Sequence, residues 1–231
     1  MKNFLLALIA MFLWSCSNDD ETIYYPAPET GTPVPSKVTY DNGLPAELIT
    51  YSISYDSEMR ISKIVKDGLN DRTYLFTYNG DDQVATVAIT GFEPALWAFG
   101  YDAFMRLATV SNNGSAIPVE YDPVTDIYKL NQFKFKYLAN GDLDEIAIYD
   151  FIYDPVKKGA FANINSSYQL LGVLIDSIFL QSGAKAAYTS WNINGNPGVL
   201  YTNTYNSSDM VTESIVSGFF NMTIKYEFAH H

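Results

Sequence analysis

Residues Tyr51-Ser52-Ile53-Ser54-Tyr55-Asp56 alternate large apolar side chains with small polar ones and end on a Tyr-Asp pair. This period of two is typical of a β-strand with one buried and one wet face. The same pattern returns in Tyr74, Phe76 and Tyr78, and the residues Tyr55, Tyr78 and Tyr101 follow one another at intervals of 23. Such an interval accommodates two strands and two turns, so the sequence predicts a series of related hairpins.

The turns between these strands carry residues that favour tight reversals of the chain. Tyr-Asp pairs end many strands, because Asp can accept hydrogen bonds from the backbone two residues further on. Other sequences typical of turns are Asp41-Asn42-Gly43, Asp67-Gly68, Asn79-Gly80, Asn113-Gly114, Asn140-Gly141 and Asn194-Gly195. We therefore predict an all-β fold: a large antiparallel meander of about 12–14 strands, curled into a barrel-like or strongly curved sheet. Its apolar face lies either inside, around a core, or outside, toward lipid.

One segment departs from the strand pattern. Residues 164–181 are rich in Leu, Ile and Val, and Leu171, Leu174, Ile175 and Ile178 recur at helical spacing. We expect one helix here that is apolar on all sides and therefore buried, closing or filling the space inside the sheet. A buried pair of strands is the alternative.

The N-terminal residues indicate export rather than folding. A basic start precedes an apolar run over residues 4–14, which is shorter than the roughly 20 residues that a bilayer-spanning helix needs. The following Leu13-Trp14-Ser15-Cys16 resembles a bacterial lipobox, with Trp14 as a departure. The resemblance implies a signal peptide over residues 1–15 and acyl chains on Cys16; an ordinary signal peptide with a chance cysteine is the alternative.

Acidic and proline-rich residues follow Cys16. They predict a semi-extended tether over residues 16–36, ahead of a single β domain over residues 37–231. The acidic start at residues 17–21 resembles an export tag of surface lipoproteins. We therefore expect the lipid anchor to attach the protein to the outer membrane. The protein would lie on the cell surface or, as the alternative, on the periplasmic leaflet.

Composition excludes several classes of function. The 231 residues hold 14 Lys and Arg against 26 Asp and Glu, a formal net charge of −12 that disfavours nucleic acid as a partner. The only Cys lies in the lipobox and the two His end the chain, so we expect no metal centre, cofactor or His-based catalytic site.

Two kinds of candidate site remain. Trp97 and Trp191 are the only Trp residues beyond the signal peptide, and they are possible platforms for stacking a sugar ring. Carboxylates cluster in turns at Asp81-Asp82 and at Asp142, Asp144 and Glu145. They are solvated turn residues, calcium ligands or, with a partner across a cleft at about 5–10 Å, a hydrolase pair.

The Tyr-Asp hairpins resemble the tyrosine-aspartate repeats of Rhs-like and teneurin-like shells. Over residues 13–231 the chain also resembles Bacteroidota lipoproteins of unknown function described as having a porin-like β fold. That resemblance rests on the lipobox, the Tyr-Asp hairpins, the segment around Tyr153-Asp154-Pro155 and the closing Lys225-Tyr226-Glu227-Phe228 strand. It departs at Gly159-Ala160, where Asn-Pro is expected, and it brings no catalytic residues.

Together these features favour a non-enzymatic envelope lipoprotein, a β scaffold that binds a glycan, a peptide or a protein. A carbohydrate-processing hydrolase with a carboxylate pair is the alternative.

Overall fold

Sixteen strands and two short helices make up the part of the chain that the computed structural model describes, residues 31–44, 48–165, 168–176 and 178–230. The strands are β1 Pro33–Asp41, β2 Ile49–Tyr55, β3 Ile61–Asp67, β4 Arg72–Tyr78, β5 Val84–Gly91, β6 Ala95–Tyr101, β7 Leu107–Asn112, β8 Ser115–Asp122, β9 Ile127–Leu130, β10 Phe133–Tyr137, β11 Leu143–Ile146, β12 Tyr149–Lys158, β13 Ala186–Ile193, β14 Asn196–Tyr205, β15 Val211–Gly218 and β16 Met222–His230. The helices, between β12 and β13, are α1 Gln169–Leu174 and α2 Ile178–Ser182.

The sheet closes on itself. Each strand pairs antiparallel with its neighbours in the chain, and β1 also pairs with β16, so the sixteen strands of the described residues form one closed barrel. Lys37 lies opposite Glu227 at this closure, and their side chains form an ion pair at 2.8 Å. The predicted all-β meander is confirmed, with more strands than the 12–14 expected, and β1 begins at Pro33 rather than at residue 37.

The apolar face of the sheet lies inside the barrel. On β2 the side chains of Tyr51 and Ile53 are buried while Ser52 and Ser54 are exposed. On β16 the outward positions include Lys225 and Glu227, which are charged. Charged side chains on a surface that faces lipid are destabilising. The apolar side chains of these strands therefore form the core inside the barrel, and the outward face is not an apolar band for lipid.

The Tyr-Asp pairs build one recurring turn. After β2, the Oδ1 atom of Asp56 accepts hydrogen bonds from the backbone N–H groups of Glu58 (3.0 Å) and Arg60 (2.9 Å). Met59 takes a positive φ of 61° and closes the turn. A β-bulge at Tyr55 re-aims the strand end, and the same bulge recurs at the tyrosine of related turns.

The tyrosines at the ends of β2, β4 and β6 each join their hairpin to the preceding strand. The hydroxyl of Tyr78, at the end of β4, donates to the carbonyl of Ile61 at the start of β3 (2.6 Å). Tyr101 repeats this contact with Val84 at 2.9 Å. Ile61 and Val84 lie beyond the paired residues of the β3–β4 and β5–β6 ladders, so the tyrosine hydroxyls give their carbonyls a partner that the ladder does not supply.

The two ends of the barrel are named by the turns that they hold. We call the end that holds the turns after Tyr55, Tyr78 and Tyr101 the YD end, and the opposite end the far end. Since the strands alternate in direction, β1 begins and β16 finishes at the YD end. The chain therefore enters and leaves the barrel on the same side.

The helices α1 and α2 form a hairpin inside the barrel. Tyr168, just before α1, contacts the hydroxyl of Tyr78 near the YD end (2.8 Å between the oxygens). Phe179 of α2 packs edge-to-face against Tyr74 and Phe76 of the wall, with ring centroids 6.3 and 6.2 Å apart. The prediction of a buried helix near residues 164–181 is confirmed for the segment, but two short helices replace the single one expected. They are separated at Ile175-Asp176, where the chain turns to bring Asp176 to the wall.

Candidate functional site

The turn between α1 and α2 places a carboxylate among polar groups of the barrel wall. The carboxylate of Asp176 accepts hydrogen bonds from the hydroxyls of Tyr74 (2.5 Å) and Tyr51 (2.8 Å). Its Oδ2 atom also lies 3.2 Å from the ammonium group of Lys66. The contacting residues belong to β4, β2 and β3, so one side chain of the hairpin is tied to three adjacent strands of the wall.

The surroundings of Asp176 are shielded from water. Its side chain is 5% exposed and that of Lys66 is 11% exposed. Burial, followed by the negative charge of Asp176, raises the pKa of both Tyr51 and Tyr74 far above their ordinary value. Both hydroxyls therefore stay protonated at neutral pH and remain donors to the carboxylate.

A second polar contact holds the start of α1. The Oε1 atom of Gln169 accepts a hydrogen bond from the backbone N–H of Leu143 at 2.7 Å. Its Nε2 atom donates to the hydroxyls of Tyr153 (3.0 Å) and Tyr188. Gln169 is fully buried, and these contacts give partners to both ends of its amide group.

A third polar contact fixes the chain that returns from α2 to the sheet. Asp142 is completely buried and accepts hydrogen bonds from the backbone N–H groups of Lys185 (2.7 Å) and Ala186 (2.9 Å). Burial raises the pKa of Asp142 despite these donors. For the ammonium group of Lys185 burial has the opposite sign and lowers the pKa to about 8, although the negative charge of Asp142 acts to raise it.

The position of Asp142 is a variation of the repeat. In this turn Leu138 follows Tyr137 where the other repeats carry Asp or Asn, and the carboxylate appears four residues later. The turn keeps its backbone pattern, with Leu138 N–H donating to the carbonyl of Asp142 at 2.7 Å. The displaced carboxylate therefore binds the chain that returns from α2, in addition to the side-chain amide of Asn140 in its own turn (2.8 Å).

Three buried polar side-chain atoms have no hydrogen-bond partner among the described residues, and one of them is Oδ1 of Asn112. Neither the indole N–H of Trp191 nor the hydroxyl of Tyr201 makes a hydrogen bond to any other residue that the structure describes. Their rings lie 5.9 Å apart. Nearby, Ser182, Asn203 and Tyr226 are among the residues that line a cavity with room for about one water molecule.

The two predicted stacking residues have different surroundings. Trp191 is 4% exposed and lies among the rings of Tyr149, Phe151, Tyr188, Tyr201 and Phe220. Trp97 is only half-buried, on the inward face of β6 near the far end, and lies opposite Asn112 of β7. The structure does not bring the two indoles together, and Trp97 is the less buried of the two.

The predicted turn carboxylates are dispersed. Asp82 is exposed and pairs with Arg60 at 2.6 Å, and Asp144 lies 3.7 Å from Lys136. Asp142 is instead enclosed as described above, so the expectation of a solvated turn residue is wrong at that position. Cys16, with the signal peptide and most of the tether, lies outside the described residues.

Within the described ranges, no three His, Cys, Asp or Glu side chains gather as a metal site would require. None of the helices described here has the length and apolar character needed to cross a bilayer.

Sequence reasoning missed Lys66, Asp176 and Gln169. Asp176 carried a usable signal, since a lone carboxylate inside a long apolar run must find partners when the run is buried. Its partners could not be found in the same way, because Tyr51 is 125 residues away in the chain and Tyr74 is 102 residues away.

Comparison with solved structures finds two similar chains of low sequence identity. A porin-like protein from Bacteroides uniformis is similar in structure, at 11% sequence identity and a TM-score of 0.42, over 89% of this chain and 100% of that one. The Photorhabdus luminescens Tc holotoxin pore matches at 12% identity and a TM-score of 0.20, over 76% of this chain, which spans only 9% of that one. No curated protein matches the sequence.

The family model described as the teneurin YD-shell matches residues 29–159, which is more than half of the chain. The matched range begins just before β1 and ends just after β12, so it covers the turns and tyrosine contacts that define the repeat. The chain belongs to the teneurin YD-shell family.

Proposed function

We propose that the protein is a non-enzymatic scaffold of the cell envelope, anchored through acyl chains on Cys16 and displaying its barrel to a glycan, peptide or protein ligand. The outer membrane is the proposed location, with the barrel on the cell surface. Multiple acyl chains would make such an anchor stable, since each buried methylene contributes about 0.8 kcal/mol.

The observation that carries this proposal is the position of the chain ends. The first strand begins at the YD end, so a tether formed by the residues before Pro33 leaves the barrel there. The far end then points away from the membrane and is free to meet a ligand. The half-buried Trp97 lies near that end, and we propose it as a residue that stacks on a ligand.

The use of the buried polar groups supports a scaffold over a hydrolase. The carboxylates of Asp142 and Asp176 are occupied by backbone N–H groups, tyrosine hydroxyls and Lys66, which hold the helical hairpin in place. A glycosidase needs two carboxylates that face a shared cleft and a substrate. The alternative of a carbohydrate-processing hydrolase therefore takes second place.

The anchor is tested by mass spectrometry of the N-terminal peptide from the full-length chain, expressed in a bacterium that processes lipoproteins. We expect a mature chain that begins at Cys16 and carries a thioether-linked diacylglyceryl group. A Cys16→Ser variant is the matched control and should lose both the lipid and membrane association. A wild-type chain without lipid would overturn the envelope assignment.

Ligand binding is tested separately with the lipidated full-length protein on a glycan array, using Trp97→Ala as the comparison. We expect selective binding that the variant weakens. Equal array profiles for both proteins would remove Trp97 from the proposed site.

A further inference from the structure

Three consecutive turns at the far end each present a large apolar side chain to solvent. Leu48 precedes β2, Leu69 lies between β3 and β4, and Phe92 lies between β5 and β6. Their exposed fractions are 51%, 58% and 45%. Exposed apolar groups that occur together mark interaction surfaces more often than isolated ones do. We call these three residues the far-end ridge.

Backbone contacts join the described residues of the neighbouring turns. The N–H of Phe92 donates to the carbonyl of Asp71 at 2.9 Å, which places the third turn on the second. Gly68, at a φ of +119°, lies so close to the carbonyl of Leu48 that a Cβ would be 2.6 Å from that oxygen. Each described contact therefore places one of these turns against the next along the rim of the barrel.

The charges beside the ridge are negative. Asp41, Asp67 and Asp71 are exposed at this end, and none forms an ion pair with another described residue. Two cations of the described residues at this end are already paired, Arg72 with Glu93 at 2.7 Å and Lys66 with Asp176.

We propose that the far-end ridge binds a partner protein through a cationic segment with an apolar face. The apolar side chains of that segment cover Leu48, Leu69 and Phe92, and its Lys or Arg residues approach the three carboxylates that form no ion pair with a described residue. This deepens the proposed scaffold function and rests on it, since it names the ligand class for the end that faces away from the anchor. A second copy would bring the same carboxylates to the interface, which disfavours self-association.

The proposal is tested by fluorescence anisotropy with the full-length protein and three labelled 18-residue peptides. The first peptide has a Leu face and a Lys face. The second has a Leu face and a Glu face, and the third has a Ser face and a Lys face. We expect saturable binding of the Leu/Lys peptide only. Leu69→Ser with Phe92→Ser should weaken it by about tenfold.

The matched control carries Phe104→Ser with Val124→Ser, which removes exposed apolar residues from the YD end and should leave affinity unchanged. Asp67→Asn with Asp71→Asn should weaken binding and flatten its dependence on salt, whereas Asp81→Asn should do neither.

An equal loss of peptide affinity in the YD-end and far-end variants would overturn the proposal. Binding of the Ser/Lys peptide as tightly as the Leu/Lys peptide would also overturn it, because both outcomes indicate general attraction to an acidic protein. Sedimentation that shows a dimer broken by the Leu69→Ser and Phe92→Ser pair would identify a second copy as the occupant and also overturn it. Absence of lipid on Cys16 with normal peptide binding would instead refute only the envelope anchor.

Discussion

Replacing Asp176 by alanine is expected to release the helical hairpin from the barrel wall. The substitution removes the acceptor shared by the Tyr51 and Tyr74 hydroxyls and leaves the ammonium group of Lys66 without this carboxylate. All three groups lie in the interior, so water replaces the lost contacts poorly.

The magnitude follows from burial. Removing one partner of a buried ion pair costs about 3–5 kcal/mol, and hydrogen bonds to a charged group contribute about 1.5–3 kcal/mol each. These terms overlap, because the same carboxylate serves all the donors, so we expect a loss of about 3–5 kcal/mol in the free energy of unfolding. For a domain of this size that corresponds to a fall in Tm of about 6–20 °C.

The assay is urea and thermal unfolding followed by near-ultraviolet circular dichroism. Asp176→Asn retains an acceptor but not the charge and should give an intermediate loss. Glu227→Ala breaks the exposed pair with Lys37 and serves as the control, with an expected loss of about 0–1 kcal/mol. If Asp176→Ala changes stability no more than Glu227→Ala does, this contact does not hold the hairpin in the barrel.

Three further predictions concern the wall and its charges. Tyr101→Phe removes the bond to the Val84 carbonyl and should cost about 1 kcal/mol, whereas Tyr201→Phe removes an unpartnered hydroxyl and should cost nothing or stabilise, as urea titration will show. Backbone N–H groups lower the pKa of Asp154, so its stabilising effect is present above its unfolded pKa and is lost as pH falls through the lower folded value. The difference in stability between wild type and Asp154→Ala should therefore shrink from pH 5 to pH 2; a constant difference would contradict this. Burial lowers the pKa of Lys185 to about 8, so between pH 8 and its unfolded pKa of about 10.4 the unfolded chain holds more protons and stability should rise with pH. An equal rise in Lys185→Met would refute that assignment.

The local features of the fold were accessible from the sequence because they depend on neighbouring residues. Alternation in Tyr51 to Tyr55 predicted a half-buried strand, and Asp56 predicted the turn that follows it. The strand count was too low because β9 and β11 have only four residues each, which is too short for periodicity to separate them from turns.

The interior was less predictable because its contacts join distant parts of the chain. The apolar run over residues 164–181 indicated burial but not the break at Asp176, whose partners lie on β2, β3 and β4. In the sequence, Asp142 resembles the exposed turn carboxylates. Its turn differs from the others only in having Leu138 at the position where they carry Asp or Asn. Trp191 and Trp97 likewise differ in burial through their neighbours in the barrel rather than through their local sequence.

Closure of the barrel by its first and last strands is tested most directly with a disulfide. Lys37 and Glu227 lie opposite each other on β1 and β16, and antiparallel partners have Cα atoms about 4.5–5.5 Å apart, within the range that a disulfide spans. In a Cys16→Ser background, Lys37→Cys with Glu227→Cys should oxidise to an intramolecular disulfide in the folded protein. The control of Lys37→Cys with Glu120→Cys, whose second site is on β8, should remain reduced. Equal cross-linking in both variants, or none in either, would contradict a closed sixteen-strand barrel.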